Sequence, residues 1–211
     1  MKFIVSSTAL LRSLQKISGV LSTSSTLPIL EDFLFELTED KLRITASDLE
    51  TTISVELKPD KADNPGIVAI PAKMLLDIMK TLAELPVTIS VNMENLGIEL
   101  FAGEGKYKLV GHRSDEFPTV PSLENMQSLS LNGSLLVNAF NKTLFATGND
   151  ELRPVMSGVL CEISENNITF VATDAHKLVR YTRKDVKTAE TASFILPKKP
   201  LNHLKNVMPD D

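Results

Sequence analysis

The chain has 211 residues, of which 43% are hydrophobic and 23% charged, so it has room for two ordinary domains with buried cores and is not a disordered polymer. A formal charge of −5 argues against a uniformly basic nucleic-acid binder, and the absence of Trp, with aromatics at 5%, removes the usual base-stacking platform. A single cysteine excludes an internal disulfide and fits a reducing compartment. No signal-type apolar run opens the chain and no stretch approaches membrane-spanning length, so a soluble, cytoplasmic protein is expected.

Residues 1–5 alternate as a short strand. A helix follows, with Ser7 or Thr8 as candidate cap and Leu10, Leu11, Leu14, Ile17 and Leu21 at helical spacing, ending at Gly19 and the Ser/Thr-rich stretch beyond it. Strands are expected at 29–37, 42–46 and 52–57, and 58–65 reads as a polar loop. The pattern then restarts. A strand at 67–70 leads through Pro71 into a helix carrying Met74, Leu75, Ile78, Met79 and Leu82. Strands at 87–93, 97–102 and 107–111 complete a second βαβββ half.

A linker is expected between Phe117 and Gln127, with residues 122–127 at its heart. Beyond it come a strand near 129–131 and a helix with Leu136, Val137, Phe140 and Leu144. Strands at 156–163, 168–172, 179–182 and 194–196 precede a last helix with Leu201, Leu204, Val207 and Met208.

The order repeats because the sequence repeats. Pro28 and Pro154 are 126 residues apart, as are Asp48 and Asp174, and Pro71 and Pro197. A duplicated unit of this size points to function by symmetric architecture, since a catalytic pocket rarely needs two like-spaced copies. The fold expected is α+β, in tandem domains built of βαβββ halves with helices on one side and antiparallel sheets on the other. Domain one covers 1–121 and domain two 128–211. A complete second copy would run to about residue 247, so the chain is expected to be a fragment lacking the last strands of its second domain.

Sorted by helix face, the cations change the charge argument. Arg12 and Lys16 lie away from the apolar stripe of the first helix, and Lys73 and Lys80 away from that of the second. Lys142, and then Lys198, Lys199 and Lys205, do the same in the second domain. Acidic residues gather instead in turns such as Glu39-Asp40 and Asp115-Glu116. If Arg12, Lys73, Lys142 and Lys198 face a common concave side, an acidic protein has one positive surface, suited to unspecific, salt-sensitive phosphate contacts.

Catalytic signals are thin. No phosphate loop, zinc spacing or nucleophile elbow occurs, and His112, His176 and His203 are dispersed. Asp48 and Asp174 could in principle serve a metal-dependent nuclease or phosphotransferase, but their equivalence in the repeat favours turn capping. Cys161 alternates with apolar neighbours and reads as a small buried hydrophobe. A repeat scaffold that binds proteins without touching DNA is the third possibility.

The runs MKFIVSSTALLRSLQKISGVL, TLPILEDFLFEL, ASDLE, IPAKMLLDIM and ATDAHKL, in this order and spacing, resemble the bacterial DNA polymerase III beta subunits, the sliding clamps, over the whole chain. The resemblance implies a non-enzymatic processivity factor without metal or cofactor. It implies a ring of two chains, each of three similar domains, with helices lining a hole for duplex DNA. Family DNA contacts would fall on Lys73, Lys80, Lys198 and Lys199. Relatives often carry an arginine where this chain has Ser24. A peptide pocket for the replicative polymerase, the clamp loader and repair proteins would involve Met156, Thr173, His176, Lys177 and Leu178. Ala175 stands where Gly is common and would narrow that pocket slightly.

Overall fold

The computed structural model describes residues 1–21, 27–119, 129–150, 152–189 and 191–208, so Ser24 and the expected linker core at 122–127 lie outside the described residues. Two compact units are present, Met1–Ser122 and Leu123–Asp211.

The first unit begins with β1 (Lys2–Ser6) and α1 (Ser7–Ser18), followed by a 3-10 turn at Pro28–Glu31. Then come β2 (Asp32–Leu37), β3 (Leu42–Ser47), β4 (Thr52–Leu57), β5 (Lys61–Asp63) and β6 (Gly66–Pro71). The unit closes with α2 (Ala72–Thr81), β7 (Pro86–Val91), β8 (Gly97–Ala102) and β9 (Gly105–Val110). Two antiparallel sheets result, ordered β5-β1-β7-β8-β9 and β4-β3-β2-β6. Each βαβββ half therefore lends its first strand to the other half's sheet: β1 joins β7, and β6 joins β2. Leu10, Leu14 and Ile17 of α1 and Leu75 and Met79 of α2 are buried, at the spacing that puts them on one helical stripe. Phe3 of one sheet stacks on Phe35 of the other, with centroids 6.3 Å apart.

The second unit contains α3 (Gly133–Thr143), 3-10 turns at Leu144–Ala146 and Pro154–Met156, β10 (Gly158–Ser164), β11 (Asn167–Thr173), β12 (Leu178–Arg183), β13 (Ala192–Pro197) and α4 (Lys198–Val207). Its sheet, β12-β11-β10-β13, repeats the order β4-β3-β2-β6. Phe140 of α3 meets Phe170 of β11 edge to face at 6.2 Å, in a separate core with Leu135, Val159 and Leu201.

Several sequence expectations change. Residues 129–131 form no strand: their counterpart β1 is flanked by β5 and β7, and no described strand of the second unit takes the place of β7. Leu129 and Leu131 still pack on the core. The segment expected as a strand from residue 29 starts as a 3-10 turn, because Pro28 sets φ for a turn and Ile29 and Leu30 bury beneath it. The polar loop at 58–65 contains β5, held by backbone pairing to β1 rather than by apolar patterning. Ser6, not Ser7 or Thr8, caps α1, accepting from the Ala9 N–H at 3.5 Å. Ser7 is buried instead, donating to Ala83 O at 2.7 Å and accepting from Leu85 N–H at 3.1 Å. Phe117 does not belong to the linker: it is buried with Ile29, Leu30 and Ala69.

The outer edge of β6 is partly covered. Ala69 N–H donates to His112 O at 3.2 Å, and His112 N–H to Ala69 O at 2.8 Å. The His112 ring reaches the buried carboxylate of Asp32, Nδ1 to Oδ2 2.5 Å. Burial raises the Asp32 carboxyl above its ordinary range, and the hydrogen bond and charge of His112 oppose that rise.

Candidate functional site

The helix cations sort cleanly within each unit. In the first, α1 and α2 pack against one another. Arg12, Lys16, Lys73 and Lys80 are all exposed on them. Lys73 and Lys80 line a cavity of about 640 Å3 together with Pro28, Met74, Asp77 and His112. Lys80 lies 3.6 Å from Asp77 one turn earlier, an exposed pair that tempers its charge without cancelling it. In the second unit α3 packs on α4. Lys142 extends over the Tyr181 ring, 5.9 Å from its centroid. Lys198 Nζ donates to Asn149 Oδ1 at 2.8 Å, Lys199 is exposed and Lys205 is half-buried.

The 126-residue offset tells which cations are duplicated. Lys73 matches Lys199, and Lys16 matches Lys142, whereas Asn138 stands opposite Arg12 and Asn206 opposite Lys80. Lys16, grouped with Arg12 on the first helix, thus has a counterpart in Lys142. Both α2 and α4 start directly after a proline, Pro71 and Pro197, with no side-chain cap. The positive dipole ends of both helices thus lie beside Lys73 and beside Lys198 and Lys199, although in α4 the Lys198 N–H already bonds Ser157 O and Pro200 has no N–H to offer.

The second surface gathers round the turn after β11. Asp174 Oδ1 accepts from the N–H groups of His176 and Lys177 at 3.1 and 2.9 Å, and its Oδ2 pairs with the Lys177 ammonium. Thr173 Oγ1 donates to Lys177 O at 2.8 Å and accepts from Ala175 N–H at 3.2 Å. Met156 is brought to this turn by Gly148, whose N–H donates to Met156 O at 2.8 Å; a Cβ on Gly148 would lie 3.9 Å from Asp174 Cα. Thr173, Ala175, His176, Lys177, Leu178 and Met156 therefore sit together. Leu178 is 67% exposed, and Val155 and Leu152, which sequence reasoning passed over, are 65% and 92% exposed. Apolar residues in a stretch punctuated by Arg153 and Pro154 were their only mark. The patch is apolar with basic residues at its border, suited to an apolar peptide bearing an acidic group.

The first unit repeats this turn. Asp48 Oδ1 accepts from Glu50 and Thr51 N–H at 3.0 and 2.7 Å, and Leu49 and Ala175 occupy the same left-handed backbone position, with φ of 77° and 74°. Both aspartates thus hold turns, as the repeat leads one to expect. Cys161 is buried, and burial pushes its thiol up to about 11, so it is no ready nucleophile.

Two outcomes follow. A left-handed Ala is strained where Gly is not, so Ala175→Gly should raise the stability of the second unit by about 1 kcal/mol in thermal unfolding. A lower midpoint would count against the assigned strain. The Asp174 carboxyl is held well below its ordinary range, chiefly by the Lys177 side chain, and the Arg183 guanidinium holds Asp185 at about 2. Depressed carboxyls contribute stability above their unfolded values and lose it on acidification. The melting midpoint of the second unit should therefore fall from about pH 5 towards pH 2, and fall less in Asp174→Asn.

The family model of the DNA polymerase III beta subunit N-terminal domain matches residues 1–121, and that of its central domain residues 130–211. The chain is 27% identical to the beta sliding clamp of Bacillus subtilis, covering 100% of this chain and 58% of the relative. It superimposes on a DNA polymerase III beta subunit of Eubacterium rectale with a TM-score of 0.94 at 25% identity, over 100% of this chain and 57% of the other. A sliding clamp of Pseudomonas aeruginosa solved bound to griselimycin gives a TM-score of 0.91 at 28% identity, over 100% of this chain and 57% of that one. The chain spans a little over half the length of the relatives it matches.

Proposed function

The chain belongs to the DNA polymerase III beta subunit family, and on that premise we propose that it forms the first two domains of a sliding clamp. In this reading a longer polypeptide closes as a ring of two chains around duplex DNA and tethers the replicative polymerase to its template. The carrying observation is the pairing of Lys73 and Lys199 at equivalent positions of two uncapped helix starts.

Lysines on helix faces contact phosphate without reading bases, and a tether must not read bases if it is to move. Arg12, Lys16, Lys73, Lys80, Lys142, Lys198, Lys199 and Lys205 are the contacts assigned to the DNA side. The role is topological and non-catalytic, without cofactor, and belongs in the cytoplasm where replication proceeds. Among the described residues no helix is long and apolar enough to cross a membrane.

The patch around Met156, Thr173, Ala175, His176, Lys177 and Leu178 takes short peptides of the polymerase, the clamp loader and repair proteins. Leu152 and Val155 extend it. The test is retention of the full-length protein on circular DNA: it should stay while the circle is closed and leave when the circle is cut. Equal release from closed and cut DNA would refute the ring.

A further inference from the structure

The first unit holds a titratable pair that is assigned neither to the DNA side nor to the peptide surface. Asp32, at the start of β2, is 3% exposed, and its Oδ2 meets His112 Nδ1 at 2.5 Å. Its other oxygen, Oδ1, has no donor among the described residues, neither a side chain nor a backbone N–H. A buried carboxylate is costly when half its lone pairs go unanswered, and burial accordingly holds the Asp32 carboxyl above its ordinary range.

Fastening the chain does not account for the pair. The segment after β9 is already tied to β6 by the two backbone bonds between Ala69 and His112, and by Phe117, buried with Ile29 and Leu30. The repeat makes the same point. The residue equivalent to Asp32 is Gly158, and β10 pairs with β11 and β13 without any side chain there.

Asp32 opens instead onto the cavity of about 640 Å3, whose described walls all belong to the first unit. Leu21, Pro28, Pro71, Met74 and Leu76 give it apolar sides, and its volume is that of sites for small organic molecules. Beside His112, its titratable groups are Glu31, Asp32 and Asp77 against Lys73 and Lys80, and Lys80 lies 3.6 Å from Asp77. Three carboxylates thus meet two ammoniums. Both lysines are exposed to screening water, whereas Asp32 is buried, so the field inside favours a cation.

We propose that this cavity is a binding site for a small aromatic amine. The ammonium donates a charge-assisted hydrogen bond to Asp32 Oδ1 and leaves Oδ2 to His112. The ring lies among the apolar walls, where the Met74 thioether offers a polarizable contact. An anion would face the buried carboxylate, and a ring without a donor would leave Oδ1 unanswered.

The test uses benzylamine and the 211-residue chain without DNA, so its failure leaves the clamp reading untouched. NMR titration should show saturable binding at one site, read at the His112 ring and at the backbone of Asp32 and Met74. Benzyl alcohol, which has the same ring without the charge, should bind at least about tenfold more weakly, and benzoate not at all. On saturation with benzylamine the Asp32 carboxyl should titrate lower than in the free chain, since an opposite charge favours its ionised form. Asp32→Asn should weaken benzylamine at least about tenfold. Glu31→Gln and Asp77→Asn, which alter exposed carboxylates, should each change it by less than about threefold. No saturable binding, equal affinity for amine and alcohol, an unmoved Asp32 titration, or equal losses from the buried and exposed variants overturns the proposal.

Discussion

Replacing Lys73, Lys80, Lys198 and Lys199 together by Ala should flatten the salt dependence of duplex binding, lowering the slope of log affinity against log salt by about 3 to 4 units. The reasoning is one of counterions. Each ammonium that neutralises a phosphate releases a condensed cation from the DNA, and each contributes about 0.9 to the slope. The loss should be uniform across DNA sequences, since lysines on exposed helix faces touch no base edges. The matched control is Lys106→Ala with Lys108→Ala. These lysines lie on β9 beside Glu99, at 2.8 and 3.9 Å, on a sheet rather than a helix. Titration of a labelled duplex at several salt concentrations decides the matter. Equal losses from the helix and the strand variants would sink the assignment of the DNA face.

Phe170→Ala should unfold the second unit while leaving the first intact. Phe170 is completely buried and meets Phe140 edge to face, and truncation of such a ring costs about 3 to 5 kcal/mol. Small domains hold only about 5 to 15 kcal/mol in all, and this core is served by one sheet where the first unit has two. The first unit has its own core, in which Phe35 stacks on Phe3. Calorimetry should therefore show two transitions. Phe170→Ala should abolish one, and Phe35→Ala should strike the other. A single transition shifted alike by both substitutions would contradict two separate cores.

Much of this architecture was legible because it was written twice. Pro28, Asp48 and Pro71 recur at one spacing, and in the turns at Asp48 and Asp174 the carboxylate accepts the same two backbone N–H bonds, while the Lys177 ion pair belongs to the second alone. Helix faces were readable from Leu10, Leu14 and Ile17, since apolar burial leaves a periodic trace. Features made by backbone alone left no such trace. Residues 61–63 have one small apolar residue, Ala62, between two charged ones and become a strand because β1 offers an edge. Residues 129–131 have the alternation of a strand but no described neighbour to bond. Ser6 and Ser7 are chemically alike, and only the fold decides that one caps while the other ties α1 to the segment after α2. The left-handed backbone of Leu49 and Ala175 was hidden because neither residue advertises it as Gly would. Of the surface proposed to take peptides, the turn residues Thr173 to Leu178 were named from the sequence, whereas Leu152 and Val155 looked like ordinary loop.

The exchange of β1 and β6 between the halves of the first unit has a consequence for biosynthesis. Lys2 pairs with Ser90, and the amino-terminal ammonium donates to Val91 O at 3.1 Å, across 90 residues of sequence. The opening strand must consequently wait on the ribosome until β7 has emerged, so neither half can mature alone. Such long-range closure slows folding and leaves apolar surface uncovered until the last hairpin arrives.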